Sequence, residues 1–312
     1  MSKKIYSGIG GQAVLNGIMM RCKDEYSLAV RLDDGSIKVE KSTYVMLKDK
    51  YKICSLPFIR GIFAMVDSLI LGTKTLGRSA ELATENEEIV ETKFEKFLKE
   101  KFGKKGEDFL LGLITVVSFV IALSVFMLLP AGIGSVIRIF IKNRLIVSIA
   151  EGLIRILLFV LYIKLISVMP EINQTFMYHG SEHKCINCIE SGLDLTVENV
   201  IKSSKEHKRC GTSFLVIVML ISIVFFMFIQ VDDIGVKFLS RILLIPIVAG
   251  ISYELLLFMG KFDNKFVDII SKPGMWMQGL TTKESNKEQV EVAIKAIEEV
   301  FDWKKFIRDN FS

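Results

Sequence analysis

Residues 109–129 read FLLGLITVVSFVIALSVFMLL and contain no charged side chain. At a rise of about 1.5 Å per residue, a helix of this length is about 32 Å long, enough to cross the roughly 30 Å hydrocarbon core of a bilayer. Similar stretches occur at 152–169, 213–231 and 242–258. We therefore predict a mainly α, polytopic helical membrane protein with about four transmembrane helices, the first ending at Pro130.

The composition agrees with this prediction. The chain has 312 residues, of which 51% are hydrophobic, and its mean hydropathy is +0.42. The net charge is only +5, and the basic residues cluster beside the apolar stretches, a distribution typical of membrane topology rather than of nucleic-acid binding. The lipid bilayer is the expected partner, and nucleic acid is not expected.

Basic residues also predict the orientation, because cytoplasmic loops are enriched in lysine and arginine. Six lysines precede the first span, and the 170–212 segment is basic as well, whereas the turn before the fourth span begins with Asp232 and Asp233. We expect a multi-pass protein of the inner (cytoplasmic) membrane with both termini and residues 170–212 in the cytoplasm. The second span contains Arg155 and Lys164, which can reach towards the interfaces; the alternative is a re-entrant second span.

The ends of the chain have soluble character. Alternating apolar and polar residues flank Asp34-Gly35, a pattern typical of a β-hairpin. Residues 55–82 are apolar but interrupted by charges, which favours an amphipathic helix over a fifth span. We divide the chain into a small cytoplasmic β unit (1–54), an amphipathic helical and charged linker region (55–108), a transmembrane domain (109–260) that includes a His/Cys-rich cytoplasmic segment (170–212), and a helical cytoplasmic C-terminal tail (261–312).

The His/Cys-rich segment contains all three histidines of the chain and three of the chain's five cysteines. His179 and His183 are four residues apart, so on a helix they face the same side. Glu182 completes a His-x-x-Glu-His pattern, the order found in inverted zinc peptidases. His207-x-x-Cys210 adds two donors just before the third span.

Imidazole and thiolate donors suit a divalent transition metal, with zinc fitting best. The predicted ligands are His179 and His183 with His207 or Cys210, and Glu182 is the predicted catalytic general base. Glu190 and Glu254 are further candidates. Glu254 lies within the fourth span, where it can also pair with a basic residue or reach the headgroups.

Two other interpretations of the same residues stay open. A histidine at a membrane interface can be a purely structural hydrogen-bonding residue. Cys185 and Cys188 can form a closed four-coordinate structural site with a histidine, which would leave no position for water and hence no catalysis.

The chain resembles the YqhQ-like family of bacterial multi-pass membrane proteins, a family of unknown function described as predicted metal-dependent enzymes. The matching stretches lie at 10–21, 178–184, 207–214, 250–254 and 273–284. The resemblance implies a site built from His179, Glu182, His183, His207 and Cys210. This chain has Asn16 where family members usually carry glutamate and Lys208 where they carry proline, and Cys185 and Cys188 lie outside the shared pattern.

The leading functional hypothesis is a membrane-embedded, metal-dependent hydrolase acting at the cytoplasmic face on a membrane protein, a buried peptide or a lipid-linked substrate. The alternative is a non-enzymatic membrane scaffold or insertion and assembly factor with a structural metal site. A transporter accessory is a third hypothesis, based on Glu254 and on Pro246 in the fourth span.

Overall fold

The computed structural model describes residues 5–83, 104–229, 231, 233–261 and 265–311. Its N-terminal part is an antiparallel sheet in the order β1-β2-β3-β4, which confirms the small β unit. Gly35 adopts a φ of +81° in the turn between the last two strands, so the predicted Asp-Gly hairpin is confirmed. The strands are β1 Ile9–Val14, β2 Gly17–Cys22, β3 Glu25–Arg31 and β4 Ile37–Thr43.

The chain then forms a short helix, α1 (Leu47–Lys50), a 3-10 turn (Lys52–Ser55) and the long helix α2 (Ile59–Ala83). Helix α2 buries small, polar and apolar residues such as Ala64, Asp67 and Leu71, while Leu69 and Leu76 are exposed, so its predicted amphipathic role stays a prediction. The charged stretch 84–103, with the first four of the lysines used to predict orientation, lies outside the described residues.

Three helices are long and apolar enough to cross a membrane, over Gly112–Phe140, Arg144–Ile166 and Gly235–Gly260. They belong to α3 (Lys104–Phe140), α4 (Arg144–Ile166) and α8 (Ile234–Lys261). The stretch predicted as the third span forms a shorter apolar helix of 17 residues, α7 (Gly211–Met227). The structure thus supports three membrane-crossing helices by length and composition, one fewer than predicted.

The prediction that the first span ends at Pro130 is wrong, because α3 continues through this proline to Phe140. A proline within a helix leaves the carbonyl of the fourth residue before it without its usual N–H donor. Here the Nε atom of Arg155 donates to the Phe126 carbonyl oxygen at 3.2 Å, which replaces that bond. Arg155 is therefore buried between helices rather than extended towards an interface, and the second span runs over 144–166.

The remaining helices pack on the sheet and beneath the membrane helices: α5 (Pro170–Glu190), α6 (Val197–Lys202), α9 (Lys265–Thr281), α10 (Lys287–Val300) and α11 (Trp303–Phe311). One apolar core joins the sheet, α5 and α10, with Met20, Ile189 and Ile297 fully buried in it. The helical character of the C-terminal part is confirmed. The sheet and α10 thereby hold α5 from two sides.

Candidate metal centre

Helix α5 presents His179 and His183 from consecutive turns of one face. The helix begins at Pro170, whose fixed φ suits a first helical position, and from residue 180 to residue 190 its residues are buried. The two imidazole rings lie with centroids 4.5 Å apart. Four-residue spacing thus brings both side chains to one place, as the sequence predicts.

Cys210 completes the group from the start of α7. It is the residue that caps this helix, and its sulfur accepts a bond from the Thr212 N–H at 3.3 Å. The His179 Nε2 atom lies 3.2 Å from the Cys210 Sγ atom. One ligand atom from each of His179, His183 and Cys210 lies within 4.8 Å of the others.

Backbone carbonyls fix how both imidazole rings are oriented. His179 Nδ1 lies 3.0 Å from the Thr281 carbonyl oxygen, and His183 Nδ1 lies 2.7 Å from the Lys205 carbonyl oxygen. A carbonyl can only accept, so each Nδ1 carries the hydrogen and each Nε2 keeps a lone pair. This is the arrangement by which metal-binding histidines are usually held.

The donor set fits a late first-row divalent ion. Zinc–sulfur and zinc–nitrogen bonds of about 2.3 and 2.0 Å at tetrahedral angles place sulfur and nitrogen ligands about 3.5 Å apart, close to the observed separation of His179 Nε2 and Cys210 Sγ. Burial lowers the pKa of His183, against the smaller opposing effect of its Cys210 and Lys205 contacts, which favours the neutral imidazole that binds metals.

Gln278 supports this group from α9 and was not among the residues predicted from sequence. Its amide oxygen accepts from the His207 N–H at 2.9 Å, while its amide nitrogen donates to the His207 carbonyl and to the Ser213 hydroxyl. These bonds hold the backbone before Cys210 and the Ser213 side chain after it. The sequence signal that could have identified Gln278 is the 273–284 stretch, one of those that resemble the YqhQ-like family. This stretch contains both Gln278 and Thr281.

Glu182 points towards the sheet and does not join the ligand group. Its carboxyl receives a bond from the Gly11 N–H, and burial raises its pKa above the usual range. A methyl group on Gly11 would lie 3.1 Å from the Glu182 Cδ atom, so the glycine permits the close approach. Its role as a general base stays a prediction.

His207 and Glu190 form a separate network beside the ligand group. The His207 Nε2–H donates to Glu190 at 3.3 Å, and its Nδ1 accepts from the Arg209 N–H at 3.4 Å, so both ring nitrogens are engaged. Burial opposes ionisation of Glu190, but bonds from His207 and Ser7 and the charge of Arg209 lower its pKa overall. Of the two proposed third ligands, the structure brings only Cys210 into the group.

Glu254 lies away from the ligand group. Arg60 binds its carboxylate with two bonds, of 2.7 and 2.5 Å, and the Phe58 N–H donates to it at 3.1 Å. Glu254 therefore connects α8 to the start of α2.

Cys185 and Cys188 are buried free thiols, separate from the histidines that would complete a four-coordinate site. Burial raises the pKa of Cys185 well above its usual value and that of Cys188 to about 11. The Cys188 thiol points to the Asp194 carbonyl oxygen at 3.4 Å. Both cysteines belong to the apolar core.

The fold and this group together define a mainly helical protein with helices long and apolar enough to cross a membrane and with a compact His/Cys cluster. The chain belongs to the DUF1385 family of proteins of unknown function, which matches residues 56–303. It is 37% identical over 306 residues to the "Uncharacterized protein YqhQ" of Bacillus subtilis (strain 168), an alignment that covers 96% of this chain and 94% of the relative. No solved structure gives a significant match.

Proposed function

We propose that this protein binds one divalent transition-metal ion, zinc fitting best, through His179 Nε2, His183 Nε2 and Cys210 Sγ. One observation carries the proposal: the two Nδ1 atoms are bonded to the backbone carbonyls of Thr281 and Lys205, so both Nε2 lone pairs are left for the ion. A pair of structural histidines has no need for this common orientation towards a sulfur atom.

The proposed site lies at the cytoplasmic surface of the inner membrane. Cys210 directly precedes the apolar helix α7, whose 17 residues at about 1.5 Å per residue give a length of about 26 Å, which favours a fourth crossing with slight local thinning of the bilayer. Four crossings return the chain to the side from which it started. The lysines before the first span and in the 170–212 segment then support a cytoplasmic location for both termini and the metal site.

A metal-dependent hydrolase is the catalytic form of this proposal. Among the residues that the structure describes, no fourth histidine, cysteine or carboxylate joins the group, so one coordination position stays available. A zinc ion with three protein ligands supplies Lewis-acid activation of water at that position. Glu182 adjoins His183 in the sequence, and its role as general base would require its buried carboxyl to turn from the Gly11 N–H towards the ligand group. A peptide or lipid-linked substrate would suit a site at the membrane surface.

The alternative is a structural role, in which the ion only fastens α5 to the start of α7 in a scaffold or assembly factor. This alternative rests on the same contacts, since the ligands come from two separate helices. It differs from the hydrolase in needing neither the available coordination position nor Glu182.

Metal analysis of the purified full-length protein tests the binding proposal. We expect about one equivalent of zinc or a similar ion, lost in His183→Ala and retained in Cys188→Ala, which removes a buried thiol outside the group. Less than about half an equivalent of any transition metal in the wild-type protein would overturn the proposal.

Glu182→Gln separates the two roles. If the protein is a hydrolase, the Glu182→Gln variant should keep its metal, but its gene should not restore function in cells that lack the wild-type gene. If the variant keeps both its metal and its function in cells, the hydrolase hypothesis is excluded and the structural role of the metal is supported. Loss of the metal in this variant would mean that Glu182 supports binding, and catalysis would then be tested with Glu182→Asp.

A further inference from the structure

A second polar site lies at the opposite end of the helix bundle. Helix α7 carries the chain about 26 Å from Cys210 to a cleft that includes Ile229 and Val231. Its polar wall comes from α3, α4 and α8, namely Ser135, Arg138, Arg144, Ser148, Glu151 and Lys237. The cleft and the His/Cys group therefore lie at opposite ends of α7.

The floor of this cleft is a buried ion cluster. Glu151 is 1% exposed and accepts bonds from both Lys237 and Arg241, and Arg241 is 2% exposed. Glu151 packs against Gly134, where any side chain would collide with the carboxylate. The carboxylate thus holds two cations of α8 at fixed positions beneath the cleft.

Arg155 adds a third cation one helical turn from Glu151. It lies 4.9 Å from the Phe226 ring centroid, as does Arg241, and its guanidinium also donates to Ser222. The Arg241 Nε atom is buried without a hydrogen-bond partner among the described residues. Cations at membrane depth are costly unless an anion or a dipole compensates them.

The region has more cations than carboxylates. Five basic residues line or underlie the cleft: Arg138, Arg144, Arg155, Lys237 and Arg241. Among the described residues that line the cleft, Glu151 is the one carboxylate. In the orientation of the proposed function, this end of the bundle faces away from the cytoplasm. The enrichment of lysine and arginine in cytoplasmic loops therefore does not explain these cations.

We propose that this cleft binds a phosphate-bearing anion, the headgroup phosphate of an anionic lipid or free inorganic phosphate. Arginine provides a planar fork of donors that matches phosphate oxygens, and Arg138 and Arg144 stand at the cleft wall with the hydroxyls of Ser135 and Ser148. Glu151 does not repel the ligand, because Lys237 and Arg241 already neutralise it. The site is independent of the metal centre.

Native mass spectrometry of the full-length protein in neutral detergent tests this site. The probes are dioleoyl phosphatidylglycerol, dioleoylglycerol as the same lipid without phosphate, and inorganic phosphate as a competitor. We expect the phospholipid to bind at least about tenfold more tightly than dioleoylglycerol, and Arg138→Gln and Arg144→Gln each to weaken it about tenfold. Lys142→Gln, which removes a nearby exposed charge outside the cleft, should bind as the wild type does.

The outcomes separate the two sources of phosphate. The cleft is a lipid headgroup site if phospholipid binding depends on the two arginines and inorganic phosphate does not displace the lipid. Arginine-dependent binding of inorganic phosphate, with no preference between the two lipids, identifies a free-anion site. If neither probe distinguishes the two arginine variants from Lys142→Gln, the proposal is overturned.

Discussion

The Nε2 atom of His179 lies 3.2 Å from the sulfur of Cys210, although the two residues are 31 positions apart in the sequence. This contact joins the middle of α5 to the first residue before α7, and hence the core of the sheet, α5 and α10 to an apolar helix. It exists because α9 packs on α7 and places the Thr281 carbonyl behind His179. The predictions below concern what holds this contact in place.

Cobalt substitution should reveal the sulfur ligand directly. The Co²⁺ form of the wild-type protein is expected to show a thiolate-to-cobalt charge-transfer band in the near ultraviolet, because Cys210 Sγ belongs to the ligand group. Cys210→Ser should lose the band, and Cys185→Ser should keep it, since Cys185 is a buried thiol outside the group. Identical spectra for the two variants would exclude Cys210 as a ligand.

Gln278→Ala is expected to weaken metal binding at least about tenfold, the usual effect of removing an outer-shell partner. The side chain is fully buried and binds the backbone of His207 and the hydroxyl of Ser213, on either side of Cys210. Competition with a chelator, at a temperature where the variant is folded, measures the affinity.

Gln289→Ala is the matched control for Gln278→Ala. It also removes a buried glutamine, but this one forms the capping box of α10 with Asn286, so it should lower stability and leave metal affinity unchanged. Equal losses of metal affinity in both variants would show that general destabilisation, and not the loss of the Gln278 bonds to His207 and Ser213, weakens binding.

Gly11→Ala is expected to lower the free energy of unfolding by about 1–3 kcal/mol. The added methyl group would lie 2.6 Å from both the Met19 carbonyl oxygen and the Met20 sulfur, and would press on Glu182. Thermal unfolding followed by circular dichroism measures the loss. Gly10→Ala should change stability by no more than about 0.5 kcal/mol, because nothing lies within 4 Å of its added methyl group.

Glu254→Gln should leave the metal content unchanged and lower stability by about 1–2 kcal/mol, allowing for partial solvent screening of the pair with Arg60. The reason is that Glu254 holds Arg60 and the Phe58 N–H at the junction of α2 and α8. Glu299→Gln, at an exposed position of α10, is the control and should be neutral. A loss of metal in Glu254→Gln would return this residue to the list of ligands.

Much of the architecture could be predicted from local patterns. Uninterrupted apolar length identifies α3, and alternation around Asp34-Gly35 identifies the last hairpin of the sheet, because both signals depend on neighbours in sequence. The end of the first span could not be predicted, since the helix continues through Pro130 and Arg155 of α4 donates to the Phe126 carbonyl that the proline leaves without its usual donor. That compensation depends on how two helices pack.

The sequence by itself determined that long apolar helices exist and that imidazole and thiol donors are concentrated in 179–210, because hydropathy and residue chemistry are properties of the chain. Only the tertiary structure decided that Cys210 meets His179 and His183 while His207 turns to Glu190. The choice depends on the packing of α5, α7 and α9. Backbone carbonyls such as those of Lys205 and Thr281, which orient the rings, have no signature in the sequence because every residue carries one.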